Sequence, residues 1–266
     1  TTPSEEAWNQ LFNNHYAEAK AGFEAEAAAN GSEPSLRGLL LTAWADEDFP
    51  GMVRIVARLV EEYPESPYLP AYLSLFSLPD LQGWKTRDRL DTLNRALAQN
   101  PAPPFRQLLQ YERMETLDMQ ADEQAGAAAR EAGVLTDHWQ VTGPFGRYGA
   151  ADFFAPFGPE TGIQDEYPGW QRTVRLDPAD PVDQTGLLEL GTLINPRTGA
   201  GYALNAVEAS QAGDAWLTVS SPGVFRVWWN GKPVMEKAHY FLDTARVRSV
   251  KVPVQAGKNL LVVKSQ

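Results

Sequence analysis

The sequence predicts an α-then-β chain in two parts: a helical-repeat region over residues 1–135, and an antiparallel β-sandwich of jelly-roll type over residues 136–266. Three observations carry this. Apolar residues recur at helical spacing through the first half. Near His138 the periodicity stops, and glycine, proline and β-branched residues rise. Beyond that point short apolar runs are separated by turn signals, the clearest being Asn230-Gly231.

In the first half, Trp8, Leu11, Phe12, Ala19 and Phe23 fall on helical spacings, with a break near Asn13-Asn14. Leu36, Leu39, Leu40, Ala43 and Trp44 follow one helical face, and Met52, Ile55, Val56, Leu59, Val60 and Tyr63 repeat the arithmetic. Ser66 reads as an N-cap with Pro67 at the first helical position. Leu90, Leu93 and Leu97 mark a further helix closed by Asn100-Pro101, and a last helical stretch runs from about Phe105 to Ala132 with Gly133 as its stop. Each apolar stripe reads first as core.

These helices resemble tetratricopeptide repeats. Tyr16, Ala19 and Phe23, with Pro34, match one unit; Phe49, Met52, Val56, Leu59 and Pro64 match a second, and Tyr16 and Phe49 lie 33 positions apart against a repeat of about 34. Leu90, Leu97 and Pro101 form a weaker third. Met52 replaces the usual small residue, and the glycine of the first helix is absent from both units, so the repeats read as diverged. The resemblance covers about residues 5–130. It implies a short solenoid whose concave face binds a protein or peptide.

In the second half, strands are expected around Trp139–Val141, Gln171–Leu176, Leu187–Leu190, Tyr202–Ser210, Ala215–Ser220, Val224–Trp229, Val247–Val254 and Asn259–Lys264, with irregular loops from Gly143 to Gly169. Asn230-Gly231 is a hairpin turn because both residues accept positive φ. Ala256-Gly257-Lys258-Asn259 joins two further runs. "Trp139-Gln-Val-Thr-Gly-Pro-Phe145", "Val227-Trp-Trp-Asn-Gly-Lys232" and "Gln255-Ala-Gly-Lys-Asn-Leu-Leu-Val-Val-Lys264" resemble the opening and closing strands of galactose-binding-like sandwiches that follow helical repeats in bacterial envelope proteins. In fuller members of that group a transglutaminase-like domain lies downstream. The resemblance implies a bacterial periplasmic or envelope location, the N-terminal region of a larger protein, and a carbohydrate-like ligand face. Thr1 opens the chain without a leader, which reads as a mature or trimmed chain.

Composition narrows the function. A formal net charge of −11 disfavours nucleic acid and anionic membrane surfaces as partners. No apolar run reaches the length of a membrane helix. With no cysteine, the chain has no disulfide, no thiolate metal site and no thiol nucleophile. His15, His138 and His239 have no metal-ligand spacing. No phosphate loop, dinucleotide fingerprint or nucleophile elbow is present. The expected role is therefore non-catalytic and needs no cofactor.

Two sets of residues remain as ligand candidates. Asp177, Asp180 and Asp183 recur every three residues, which reads first as a solvated acidic loop and second as a structural calcium site. Trp170, Tyr202, Trp228 and Trp229 offer aromatic faces for a sugar ring. Trp228 and Trp229 are adjacent in a strand and so face opposite sides. One is assigned to the core, the other to the helical half, a loop or a ligand. The leading function is a protein-interaction scaffold, and the alternative is a carbohydrate-binding module using these aromatics.

Overall fold

The structure is a computed structural model. It describes residues 3–75, 85–120, 123–135, 138–147, 150–168, 173–175, 177–178, 188, 190, 199–221, 223–238 and 247–266. The chain forms two compact units, Thr1–Asp122 and Glu123–Gln266. The division falls before the helix Ala125–Glu131, which belongs with the β-rich unit.

The first unit is helical: α1 (Pro3–Phe12), α2 (Tyr16–Asn30), α3 (Glu33–Ala45), α4 (Phe49–Glu62), α5 (Leu69–Ser74), α6 (Thr86–Ala98) and α7 (Pro103–Asp118). Local chemistry sets the ends. Asn14 turns the chain after α1 with φ 63°. Ser32 caps α3 by accepting from the Ser35 N–H, and Asp48 caps α4 by accepting from the Gly51 N–H at 2.9 Å. Asn100, at φ 55°, closes the turn after α6. Ser66 acts differently from its expected cap role. The helix begins at Leu69, after Pro67, and Ser66 Oγ accepts from the Tyr68 N–H while donating to Glu33. The stretch expected as one helix from Phe105 to Ala132 is two, α7 and α8 (Ala125–Glu131).

Sequential helices pack on one another, α1 on α2, α2 on α3 and α3 on α4, and α1 also reaches α3. The buried set Ala7, Leu11, Ala19 and Phe23 joins the first two helices, with Trp8 and Leu39 against it. Phe23 meets Trp8 edge-on at 5.0 Å. Its ring fits because Gly38 of α3 has no side chain: a Cβ there would lie 2.4 Å from the ring.

Among the described residues the second unit holds α8, a short helix α9 (Ala150–Phe154), a 3-10 turn at Gly158–Glu160 and ten strands. Gly133 stops α8 at φ 72°. The strands are β1 (Trp139–Phe145), β2 (Glu166–Pro168), β3 (Thr173–Arg175), β4 (Asp177–Pro178), β5 (Ala200–Ala209), β6 (Gly213–Ser220), β7 (Phe225–Trp229), β8 (Lys232–Lys237), β9 (Val247–Val254) and β10 (Gly257–Ser265). Six form an antiparallel sheet in the order β4-β1-β5-β10-β7-β8. β2 pairs with β3, and β6 with β9. The strand expected at Leu187–Leu190 lies mostly outside the described residues, and neither Leu188 nor Leu190 is extended there. The Gly143–Gly169 stretch, expected as loops, instead carries the end of β1, α9, the 3-10 turn and β2.

Asn230 (φ 50°) and Gly231 (φ 76°) make the β7–β8 turn, as their sequence predicts. Asn259, fully buried, ties that turn to the one before β10. It accepts from Asn230 Nδ2 and the Gln255 N–H, both at 2.9 Å, and donates to the Gln255 carbonyl.

The large sheet is covered on both faces. On one lie Phe145, Tyr202, Leu204, Trp228 and Val262, packed with Tyr167 of β2 and Val174 of β3. On the other lie Phe225, Val227, Trp229 and Leu261, packed with Leu217 and Val219 of β6 and Val250 and Val252 of β9. The register explains the split, since Trp228 pairs with Val262 and Trp229 with Leu261.

Candidate functional site

The structure locates the predicted aromatics in the core. Trp228 and Trp229 are each 6% exposed, and Tyr202 is fully buried. Trp229 Nε1 donates to the Pro253 carbonyl at 2.7 Å. Stacking on a sugar ring needs an open ring face, and these three rings have none. A two-sided sheet makes core residues of both adjacent tryptophans, which the one-sided sequence reading did not foresee. Trp170, Asp180 and Asp183 lie outside the described residues, and Asp177 is exposed in β4. Among the described residues no three His, Asp or Glu side chains group closely enough to hold a metal ion. Asp177 lines a shallow cleft of about 350 Å³ with Thr142, Thr173, Glu166 and Arg175, where the last two pair with each other at 3.1 Å.

A buried polar network sits on the Tyr202 face of the sheet. Cross-strand register places Lys264 beside Tyr202 and Arg226. The Lys264 side chain is fully buried, and Nζ donates to the Ala155 carbonyl at 2.6 Å and to Glu160 Oε1 at 3.1 Å. Tyr202 donates to the same carboxylate oxygen at 2.6 Å. The rings of Phe157 and Tyr202 flank the ammonium at 4.9 and 5.5 Å. Burial pushes the Lys264 ammonium below its ordinary value, and Glu160 opposes that. Burial, reinforced by the bond to Glu160, pushes the Tyr202 phenol up. This network fastens the Ala150–Glu160 segment to the sheet. Every one of these groups has a partner within the fold, so the network reads as structural.

The exposed chemistry lies on α3. Its residues Ser35, Leu36, Gly38, Leu40, Thr42 and Ala43 are buried. The opposite face carries Arg37, Leu41 and Trp44, spaced i, i+4 and i+7, which share one side of a helix. Leu41 is 47% exposed and Trp44 53%. Tyr68, just before α5, is 48% exposed, and the Arg37 guanidinium lies over its ring at 4.1 Å. Arg37 Nε is buried without a hydrogen-bond partner, and no ion pair of the described residues includes Arg37. The nearest acid along the helix, Glu33, is occupied: Ser66 Oγ and Tyr72 Oη both donate to its Oε1 at 2.5 Å.

Periodicity placed Trp44 in the core stripe with Leu40 and Ala43; the structure turns it outward with Leu41. Trp44 is the penultimate residue of α3, where a residue next to the stripe can sit on either side of its edge. Arg37 and Tyr68 carried no sequence signal, because their pairing joins α3 to the turn before α5 across 31 positions.

Two tyrosine–carboxylate pairs make stability depend on alkaline pH. Burial and the bond to Glu33 hold the Tyr72 phenol well above its ordinary 10.0, as burial and Glu160 do for Tyr202. A raised folded pKa contributes stability that is complete below pH 10 and is lost above it. Each tyrosine should contribute a slope of about 1.4 kcal/mol per pH unit there. Lys264, lowered from 10.5, acts oppositely, raising stability with pH up to 10.5 and contributing no slope beyond. Denaturant unfolding above pH 10.5 should therefore show stability falling with pH, and Tyr72→Phe and Tyr202→Phe should each flatten the fall. Equal slopes in wild type and both variants would contradict this.

No helix among the described residues is long and apolar enough to cross a membrane. Comparison with protein-family models, with curated proteins and with solved structures returns no match.

Proposed function

We propose that this chain is a non-catalytic protein-interaction module that holds a peptide segment of a partner on the exposed face of α3. The observation that carries the reading is the exposure of Leu41, Trp44 and Tyr68, each about half open to solvent, with Arg37 on the same side of α3 and stacked on Tyr68. Exposed tryptophan, tyrosine and arginine side chains together are the residue types that dominate binding energy at interfaces. An apolar patch that folding leaves uncovered is a feature with a use or a cost. Support for a diverged tetratricopeptide-like solenoid comes from the consecutive pairing of α1 through α4. Support for a jelly-roll-like second unit comes from its antiparallel sheet packed on both faces. The sequence resemblance adds a place in the bacterial envelope, as part of a larger protein, which cell fractionation would check.

The test uses the full chain and short synthetic peptides with an apolar core, immobilised as an array. Leu41→Ala with Trp44→Ala should weaken the best peptide by about 2 kcal/mol or more, roughly thirtyfold, as loss of a hot-spot residue does. The folded helix content should not change, because both side chains point to solvent. Unchanged affinity in this variant would exclude the α3 face.

A further inference from the structure

We infer that the partner segment carries a carboxylate beside its apolar residues, at the end that lies against Arg37. This rests on the reading of the α3 face as the binding surface. Arg37 is the one cation among the residues that form the surface, and its planar guanidinium is already stacked on Tyr68 at 4.1 Å. Stacking fixes the fork, and its terminal N–H groups can donate to a bidentate carboxylate, the partner that geometry suits best. Of its neighbouring carboxylate, Glu33, Oε1 already accepts from Ser66 and Tyr72. Nε is buried, so a bound carboxylate would meet the terminal Nη groups of the fork.

The opposite end of the surface has the reverse sign. Beyond Trp44 come Asp46, Glu47 and Asp48. Lys20 offsets Asp46 through an exposed contact at 3.5 Å, and the Asp48 carboxylate caps α4. A carboxylate on the partner would be repelled there. At a rise of 1.5 Å per residue, Arg37 and Asp46 are about 14 Å apart along α3. That exceeds the Debye length of about 8 Å at physiological ionic strength, so the two ends are read separately. The surface is thus polar along its length, and a single acidic residue on the partner would set which way the segment lies.

The test compares synthetic peptides that share one apolar core and one glutamate, placed at either flank. The two isomers have the same composition, so long-range repulsion from a chain of net charge −11 acts on both alike. Fluorescence anisotropy with the full chain should show one isomer binding about tenfold more tightly than the other, a charge-assisted contact's worth. Glutamine in place of the glutamate should remove the preference without any change to the protein. Arg37→Gln should also remove it, and Arg37→Lys should keep part of it. Equal binding of the isomers, with Trp44→Ala still weakening both, would overturn this inference and leave the α3 surface standing. Binding that ignores Trp44→Ala would overturn both.

Discussion

Lys264→Ala should lower the stability of the β-rich unit by about 3–5 kcal/mol, the cost of breaking a buried ion pair from one side. The lysine is fully buried, and its ammonium holds both the Glu160 carboxylate and the Ala155 carbonyl. Alanine would leave that carbonyl without its donor and Glu160 without its counter-charge, with only the Tyr202 hydroxyl still bound to it. The space vacated by the lysine stem adds a cavity beneath Phe157. Urea unfolding followed by tryptophan fluorescence would measure the loss. Lys264→Met combined with Glu160→Gln should recover much of it, because removing both charges also removes the desolvation of each. A single variant within about 1 kcal/mol of wild type would show that water reaches this network and that the segment Ala150–Glu160 is not fastened by it.

Phe23→Ala should cost the helical unit a similar amount, about 3–5 kcal/mol, through lost burial and the cavity left behind. The ring is fully buried and joins three elements: Trp8 of α1 edge-on, its own helix α2, and the bare backbone of Gly38 in α3. No neighbouring side chain can close the gap without α3 moving toward α2. Phe23→Leu keeps most of the volume and should lose less. Circular dichroism at the helical band during urea unfolding reads the helical unit directly. If Phe23→Ala and Phe23→Leu lose equally, the ring's fit against Gly38 is not what holds α2 to α3.

These two residues differ in how visible they were beforehand. Phe23 stood out, because its spacing from Ala19 and Trp8 is helical and its size marks a core position. Its seat did not, since Gly38 reads as a weak helix residue until the ring is seen against it. The strands β5, β6, β7, β9 and β10 and the Asn230-Gly231 turn are legible for the same local reasons: alternation and positive φ are properties of neighbours in sequence. Lys264 was hidden inside a strand that reads Val-Val-Lys, where charge argues for an outward position. Only the tertiary structure reverses that: the cross-strand register brings Tyr202 from 62 positions away, and the Gly158–Glu160 turn brings Glu160 from 104. The candidate site was least legible of all. Trp228 and Trp229 attracted attention as aromatics, yet the sheet is covered on both sides. Trp44 was read as core, and Arg37 acquires meaning only from Tyr68.

The claim that binding uses the α3 surface is tested most directly by the tryptophan indole N–H signals in a two-dimensional NMR spectrum of the full chain. Trp44→Phe, Trp228→Phe and Trp229→Phe each assign one signal. Titration with the apolar-core, single-glutamate peptide should shift the Trp44 signal and leave those of Trp228 and Trp229 in place. Saturable shifts at Trp228 or Trp229 with Trp44 unmoved would contradict the account and return the binding site to the β-rich unit.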